Sequence, residues 1–199
     1  AKKFGLGKRV LGNLIEEKSG VVPNTKWKKE NMGKSWYLGE TLHSGIGQGY
    51  YLSTPLQLCL MMSQIANGGY EIKPRIIYEK KDNKFDDLEQ FIKDKEVFKN
   101  ESGLFETLFS EFKFKELFKN QENIKFVHDA LYGATNEPGG TSYGSRLTKN
   151  FIYAGKTGTS QVKKFTQIQR EMEIKNEDLP YEQRDHAIFV AYAPFKEPK

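Results

Sequence analysis

Lys156-Thr157-Gly158-Thr159 places a cation, two hydroxyls and a missing side chain in four consecutive positions, at the end of the apolar run Phe151-Ile152-Tyr153-Ala154-Gly155. The aromatic and β-branched residues of that run predict a strand. Alternation along a strand points Thr157 and Thr159 to one side, where both hydroxyls can donate to the same anion. Lys156 adds positive charge nearby, and Gly158 clears room for a ligand backbone. Together they suit recognition of a carboxylate-bearing chain laid along the strand edge.

Other residue patterns in the chain do less. Gly155-Lys156-Thr157 mimics the end of a phosphate-binding loop, but the Gly required five positions earlier is Asn150, and the segment reads as a strand. Gly45, Gly47 and Gly49 fall short of a dinucleotide fingerprint because Tyr50 follows. His43, His128 and His186 are scattered, and Asp129 and Asp185 are only sequence neighbours of two of them. That spacing favours structural histidines over a His-Asp relay. No His or carboxylate set has ligand spacing, so neither a metal nor a cofactor is expected. Cys59 is the single cysteine, which rules out a disulfide within the chain.

The elements that must position the tetrapeptide can be read coarsely. Residues 1–53 are rich in Gly, Asn and Lys and read as loops with short elements, pinned by Trp27, Trp36 and Tyr37. The clearest helix begins at Thr54, a natural N-cap followed by Pro55, with Gln57 completing a capping box. Its residues Leu56 to Ala66 leave hardly any polar face and predict a buried helix, ended by Asn67-Gly68-Gly69. A second helix is expected over 121–136, with Ile124, Val127, Leu131 and Ala134 on one face. Strands are expected over 150–161 and 185–193 as antiparallel neighbours. Between them, 162–184 is charged and reads as an exposed loop near the cleft. The stretch 79–120 is dense in Lys, Glu and Phe and predicts a peripheral insertion of short amphipathic helices.

Several runs together resemble one family. Gly45-Ile46-Gly47-Gln48-Gly49-Tyr50, Thr54-Pro55-Leu56-Gln57, Asn136-Glu137-Pro138-Gly139-Gly140-Thr141, Lys156-Thr157-Gly158-Thr159 and Arg184-Asp185-His186 occur in the order seen in class B penicillin-binding proteins of the cell-elongation type. The resemblance runs from about Phe4 to Pro194 and lacks a counterpart only for 79–120. It implies an α/β fold of the α+β type, an antiparallel sheet flanked by helices, as in serine β-lactamases. It also implies a peptidoglycan D,D-transpeptidase that cross-links stem peptides and is acylated by β-lactams. Under it, Lys156 and Thr159 are catalytic: Lys156 serves charge and proton traffic, and the Thr159 N–H serves the oxyanion. Thr157, Gly158 and Thr159 bind the substrate and its carboxylate. The implied partners are stem peptides, β-lactams and a membrane glycosyltransferase of the elongation machinery, at the periplasmic face of the inner membrane.

The family's Ser-x-x-Lys nucleophile motif and its Ser-x-Asn motif are not found where the resemblance puts them. Ser-x-x-Lys occurs at Ser110–Lys113 and Ser160–Lys163, both misplaced, so residues 1–199 are expected to be a C-terminal part of a transpeptidase domain, inactive alone. A β-lactamase or D,D-carboxypeptidase relative, or a non-catalytic penicillin-sensing or scaffold domain, are the alternatives. The charge of +5 arises from 31 basic and 26 acidic residues that are interleaved, which describes a solvated surface and argues against nucleic acid. No run approaches the length of a membrane span.

Overall fold

The computed structural model describes residues 1–12, 16–76, 115–120, 122–146, 148, 150–162, 166, 171–172 and 174–198. It combines helices with a two-stranded antiparallel sheet. The chain forms two compact units, Ala1–Gln64 with Gly69–Lys119, and Ile65–Gly68 with Asn120–Lys199. Among the described residues no helix is long and apolar enough to cross a membrane.

In the first unit, α1 (Thr25–Met32) and α2 (Leu38–Gly45) lie in the region read as loops with short elements. The Asn24 side chain caps α1 by accepting from Trp27 N, and Gly33 ends it in the left-handed conformation. The aromatics contribute, with the Trp27 ring 5.5 Å from that of Tyr50 and the Trp36 indole bonded to Thr41, but Tyr37 is 62% exposed and it is Lys28 that is buried. The Lys28 ammonium bonds both Glu40 oxygens at 2.5 and 2.6 Å and sits 4.3 Å from the centre of the Tyr37 ring. A charge can be buried there because its partner and a ring face replace the water it loses.

The helix α3 (Pro55–Ala66) starts as expected, with Thr54 and Gln57 exchanging the two bonds of a capping box at 3.0 and 3.2 Å. Its expected full burial is corrected. Leu56 and Cys59 are exposed, and the residues turned inward are Gln57, Leu60, Met62 and Gln64. The two glutamines are inside because they act as substitutes for sheet bonds. Gln57 Nε2 donates to the Lys8 and Ser19 carbonyls, and Gln64 donates to the Phe4 carbonyl while accepting from Ile72 N. An apolar side chain of the same size would strand these backbone groups, at about 1–3 kcal/mol each. The expected helical insertion over 79–120 lies outside the described residues up to Phe114. Beyond it, Glu116 bridges Tyr70 in antiparallel pairing, and Leu117 is buried at 3% exposure.

In the second unit, α4 (Glu122–Asn136) packs against the sheet of β1 (Ala154–Ser160) and β2 (His186–Tyr192). Leu131 and Thr135 are the buried residues of α4. The strand register pairs Ala154 with Tyr192, Thr157 with Phe189 and Ser160 with His186. Ala154 is wholly buried and Tyr192 nearly so. His128 on α4 ties the layers together, with Nε2 2.7 Å from the Ile65 carbonyl and Nδ1 3.2 Å from the Tyr192 hydroxyl. The carbonyl can only accept, so Nε2 carries the proton and the Tyr192 hydroxyl donates to Nδ1. Burial, with the Asp129 charge adding to it, pushes the Tyr192 phenol from its ordinary 10.0 up to about 12.

The approach to β2 is also built from side chains bonded to backbone. Arg184 donates to the Leu179 and Glu177 carbonyls, Asn176 accepts from Asp185 N, and Asp185 accepts from Val162 N. Leu179 is buried beneath this turn at 6% exposure.

Candidate active site

The strand β1 is bonded to β2 along one edge, and among the described residues nothing pairs with the other. Which backbone groups face that free edge follows from two bonds at the start of the strand. The Ile152 carbonyl accepts from Phe195 N on the β2 side. The next carbonyl, of Tyr153, accepts from the Thr135 hydroxyl and the Asn136 amide, each at 2.8 Å, and so faces away from β2. Backbone direction alternates along an antiparallel strand. The N–H and C=O groups of Thr157 and Thr159 therefore open to the same free edge as Tyr153.

The four residues of the tetrapeptide lie on this edge with different surroundings. Lys156 is exposed, and its ammonium folds over to the neighbouring Thr157 carbonyl at 3.0 Å, bringing the charge to the free edge. Thr157 is half-buried, and its hydroxyl donates to Thr141 Oγ1 at 3.2 Å. Thr159 is exposed one step further along the same side. Gly158 has ordinary φ, and a Cβ added there meets no atom within 4 Å. Among the described residues neither strain nor packing requires a glycine at 158.

Gly155 has the opposite reason for lacking a side chain. A Cβ there would lie 2.7 Å from Ala191 Cβ and 2.8 Å from both Phe189 Cζ and the Val190 carbonyl oxygen. The Phe189 ring fills that space and meets Tyr153 edge to face at 6.0 Å. This ring backs the hydroxyl-bearing face of β1.

From sequence, the run Asn136-Glu137-Pro138-Gly139-Gly140-Thr141 carries the family resemblance but gives its members no individual roles. The structure brings them to the site. Asn136 and Thr135 clamp the root of β1 through Tyr153, and Thr141 arrives beside Thr157. The turn that delivers Thr141 needs both glycines: Gly139 has φ +90, and Gly140 lies against the Gly133 and Ala134 carbonyls, where any Cβ would collide. A pair of glycines just after a helix, followed by a hydroxyl residue, was the available signal.

Of the two misplaced Ser-x-x-Lys pairs, Ser160 alone falls among the described residues. Ser160 ends β1 opposite His186, while Lys163, Ser110 and Lys113 lie outside the described residues. No group of three or more His, Cys, Asp or Glu among the described residues could hold a metal ion.

What this edge can do is accept an anionic, extended chain: a cation, two hydroxyls and outward N–H groups converge on it, with clearance at Gly158. Comparison with known proteins identifies the family. The chain is 31% identical over 197 residues to the peptidoglycan D,D-transpeptidase MrdA of Salmonella typhimurium, covering 99% of this chain and 28% of that protein. It is 27% identical over 199 residues to MrdA of Escherichia coli K12, again across 28% of its length. Among solved structures, it is similar to the penicillin-binding protein PBP2 of Helicobacter pylori in complex with MreC, at 25% identity and a TM-score of 0.69, covering all of this chain and 29% of that one. PBP2 of Pseudomonas aeruginosa in complex with WCK 5153 gives 25% identity and 0.65, covering all of this chain and 36% of that one. The penicillin-binding protein transpeptidase domain matches residues 1–199 from end to end, and the chain belongs to that family.

Proposed function

We propose that the full-length protein is a serine D,D-transpeptidase that cross-links peptidoglycan stem peptides during cell elongation. The observation that carries this is the free edge of β1, where the Lys156 ammonium, the Thr157 hydroxyl and the outward Thr159 N–H gather beside open space at Gly158. A serine hydroxyl supplied from outside residues 1–199 attacks the carbonyl between two terminal D-alanines and gives its proton to a base. The C–N bond breaks, D-alanine leaves with a proton, and an acyl-serine ester remains. An amine of a second stem then attacks the ester, releasing the serine and forming the cross-link.

Each residue of the tetrapeptide has a part in this scheme. The Thr157 and Thr159 hydroxyls hold the terminal carboxylate, which is acceptor-only and needs donors. The Thr159 N–H stabilises the oxyanion from a fixed strand position that needs no reorganisation. Lys156 raises the local positive potential and assists proton transfer through the neighbouring motif. Gly158 lets the substrate backbone lie close. β-Lactams carry the same carboxylate beside a reactive carbonyl and acylate the same serine.

The setting follows from the same reading. The protein acts at the periplasmic face of the inner membrane, anchored by a segment outside residues 1–199. It works with a membrane glycosyltransferase of the elongation machinery, and the complex of Helicobacter pylori PBP2 with MreC supports a further protein partner. No nucleic acid or cofactor has a part.

The test is acylation of the full-length protein by a fluorescent penicillin. Lys156→Ala is expected to slow labelling about 100-fold, the usual cost of one transition-state charge contact. Thr159→Val keeps its backbone N–H and is expected to lose less, mainly in binding. Wild-type labelling rates in both variants would overturn the assignment.

A further inference from the structure

Among the described residues Thr141 is the hydroxyl that reaches the tetrapeptide from another element, and its placement is held from both sides. Upstream, Asn136 and Thr135 fasten the end of α4 to the Tyr153 carbonyl. Downstream, Ser142 N donates to the Ala134 carbonyl at 2.9 Å and Tyr143 N to the Gly140 carbonyl at 3.0 Å. The Arg146 guanidinium stacks on the Tyr143 ring at 3.8 Å and bonds the Tyr143 carbonyl, closing the turn. Ser142 beside it is buried, so the turn is packed as well as bonded. Thr141 itself is exposed and makes its hydrogen bond to Thr157.

We infer that Thr141 is a positioning residue for substrate carboxylate binding, acting through Thr157; this rests on the function proposed above. Each hydroxyl has one proton and accepts at its oxygen. Without ligand, the Thr157 proton goes to Thr141. A carboxylate on the free edge can only accept, so the Thr157 proton must turn outward to it. The Thr141 hydroxyl then rotates to donate to the Thr157 oxygen, which fixes that rotor and polarises its outward O–H. Two hydroxyls on separate elements thus act as one donor aimed at the anion.

The experiment uses the full-length protein and compares a penicillin with its methyl ester, which keeps the reactive ring and removes the anion. Thr141→Val is expected to weaken binding of the free acid by about three- to tenfold, the scale of one lost hydrogen bond. The acylation step at saturation and all constants for the ester stay near wild type, and Thr141→Ser restores the acid. Thr157→Val shows a larger loss, also confined to the acid. Equal loss for acid and ester in Thr141→Val, no loss for either, or failure of Thr141→Ser to restore binding overturns the role of Thr141 while Thr157→Val remains selective. If Thr157→Val itself does not distinguish acid from ester, the carboxylate site beneath the inference is wrong. Melting temperatures equal to wild type in both Thr141 variants exclude simple unfolding as the cause.

Discussion

Gly155 and Gly158 sit three residues apart on one strand and answer to different demands. Gly155 is excluded from carrying a side chain by Ala191, Phe189 and Val190. Gly155→Ala is expected to destabilise the full-length protein by about 1–3 kcal/mol, as overpacking of a tight contact does. Thermal melting reads it directly. Gly158→Ala meets nothing among the described residues, so its melting temperature should equal or exceed wild type, because the unfolded chain loses freedom. Its cost should appear in penicillin acylation, where the new methyl group crowds the ligand. A drop in stability without a drop in labelling would mean that the space at 158 serves folding and not substrate. Sequence alone assigns Gly158 its clearance role, whereas the crowding at Gly155 comes from residues of β2 more than thirty positions away.

At the scale of elements, the contact between α1 and α2 shows a buried charge working together with aromatic rings. The Lys28 ammonium beside Glu40, together with the Tyr37 N–H, holds the Glu40 carboxyl below its ordinary value of 4.5, against a small opposing effect of burial. A carboxylate whose folded value is depressed stabilises the fold above its unfolded value and loses that contribution as pH falls through the folded one. The first unit should therefore lose stability progressively below about pH 4.5, and Glu40→Gln should flatten that dependence. Lys28→Met should be tolerated better than Glu40→Gln. In the second case a buried ammonium is left without its counter-charge, whereas in the first Glu40 keeps the Tyr37 N–H and partial solvent access. Denaturation midpoints of the two variants, measured across acid pH, check the order; the reverse ranking would show that the ion pair contributes less than the packing of the lysine stem. Lysines are so seldom buried that nothing in the spacing of Trp27, Lys28 and Tyr37 singled this one out.

For the molecule as a whole, the governing fact is that the chain spans only 28% of the curated relatives it matches. The edge of β1 can bind and polarise, but an acyl-enzyme needs a nucleophile aligned with it. Residues 1–199 alone are expected to form no covalent β-lactam adduct, as read by intact mass after incubation with penicillin. Ser160, the last residue of β1, is the serine of the described strand, and a serine nucleophile needs a base beside it. A stoichiometric mass increase mapped to Ser160 would sink the proposed division of labour.

What the amino-acid sequence determined by itself was local and periodic: the capping box at Thr54 and Gln57, the helix ending at Asn136, two strands flanking a charged connection, and the family that the ordered motifs identify. Such features depend on neighbours within a few positions, so spacing is enough to reveal them. The tertiary structure alone decided which face of α3 turns inward, because Gln57 and Gln64 answer to the carbonyls of Lys8, Ser19 and Phe4, up to sixty positions away. It alone decided that Thr141 joins Thr157, because two elements must pack before hydroxyls sixteen residues apart can meet. Propensity is a property of the segment, whereas burial and hydrogen-bond pairing belong to the packed chain.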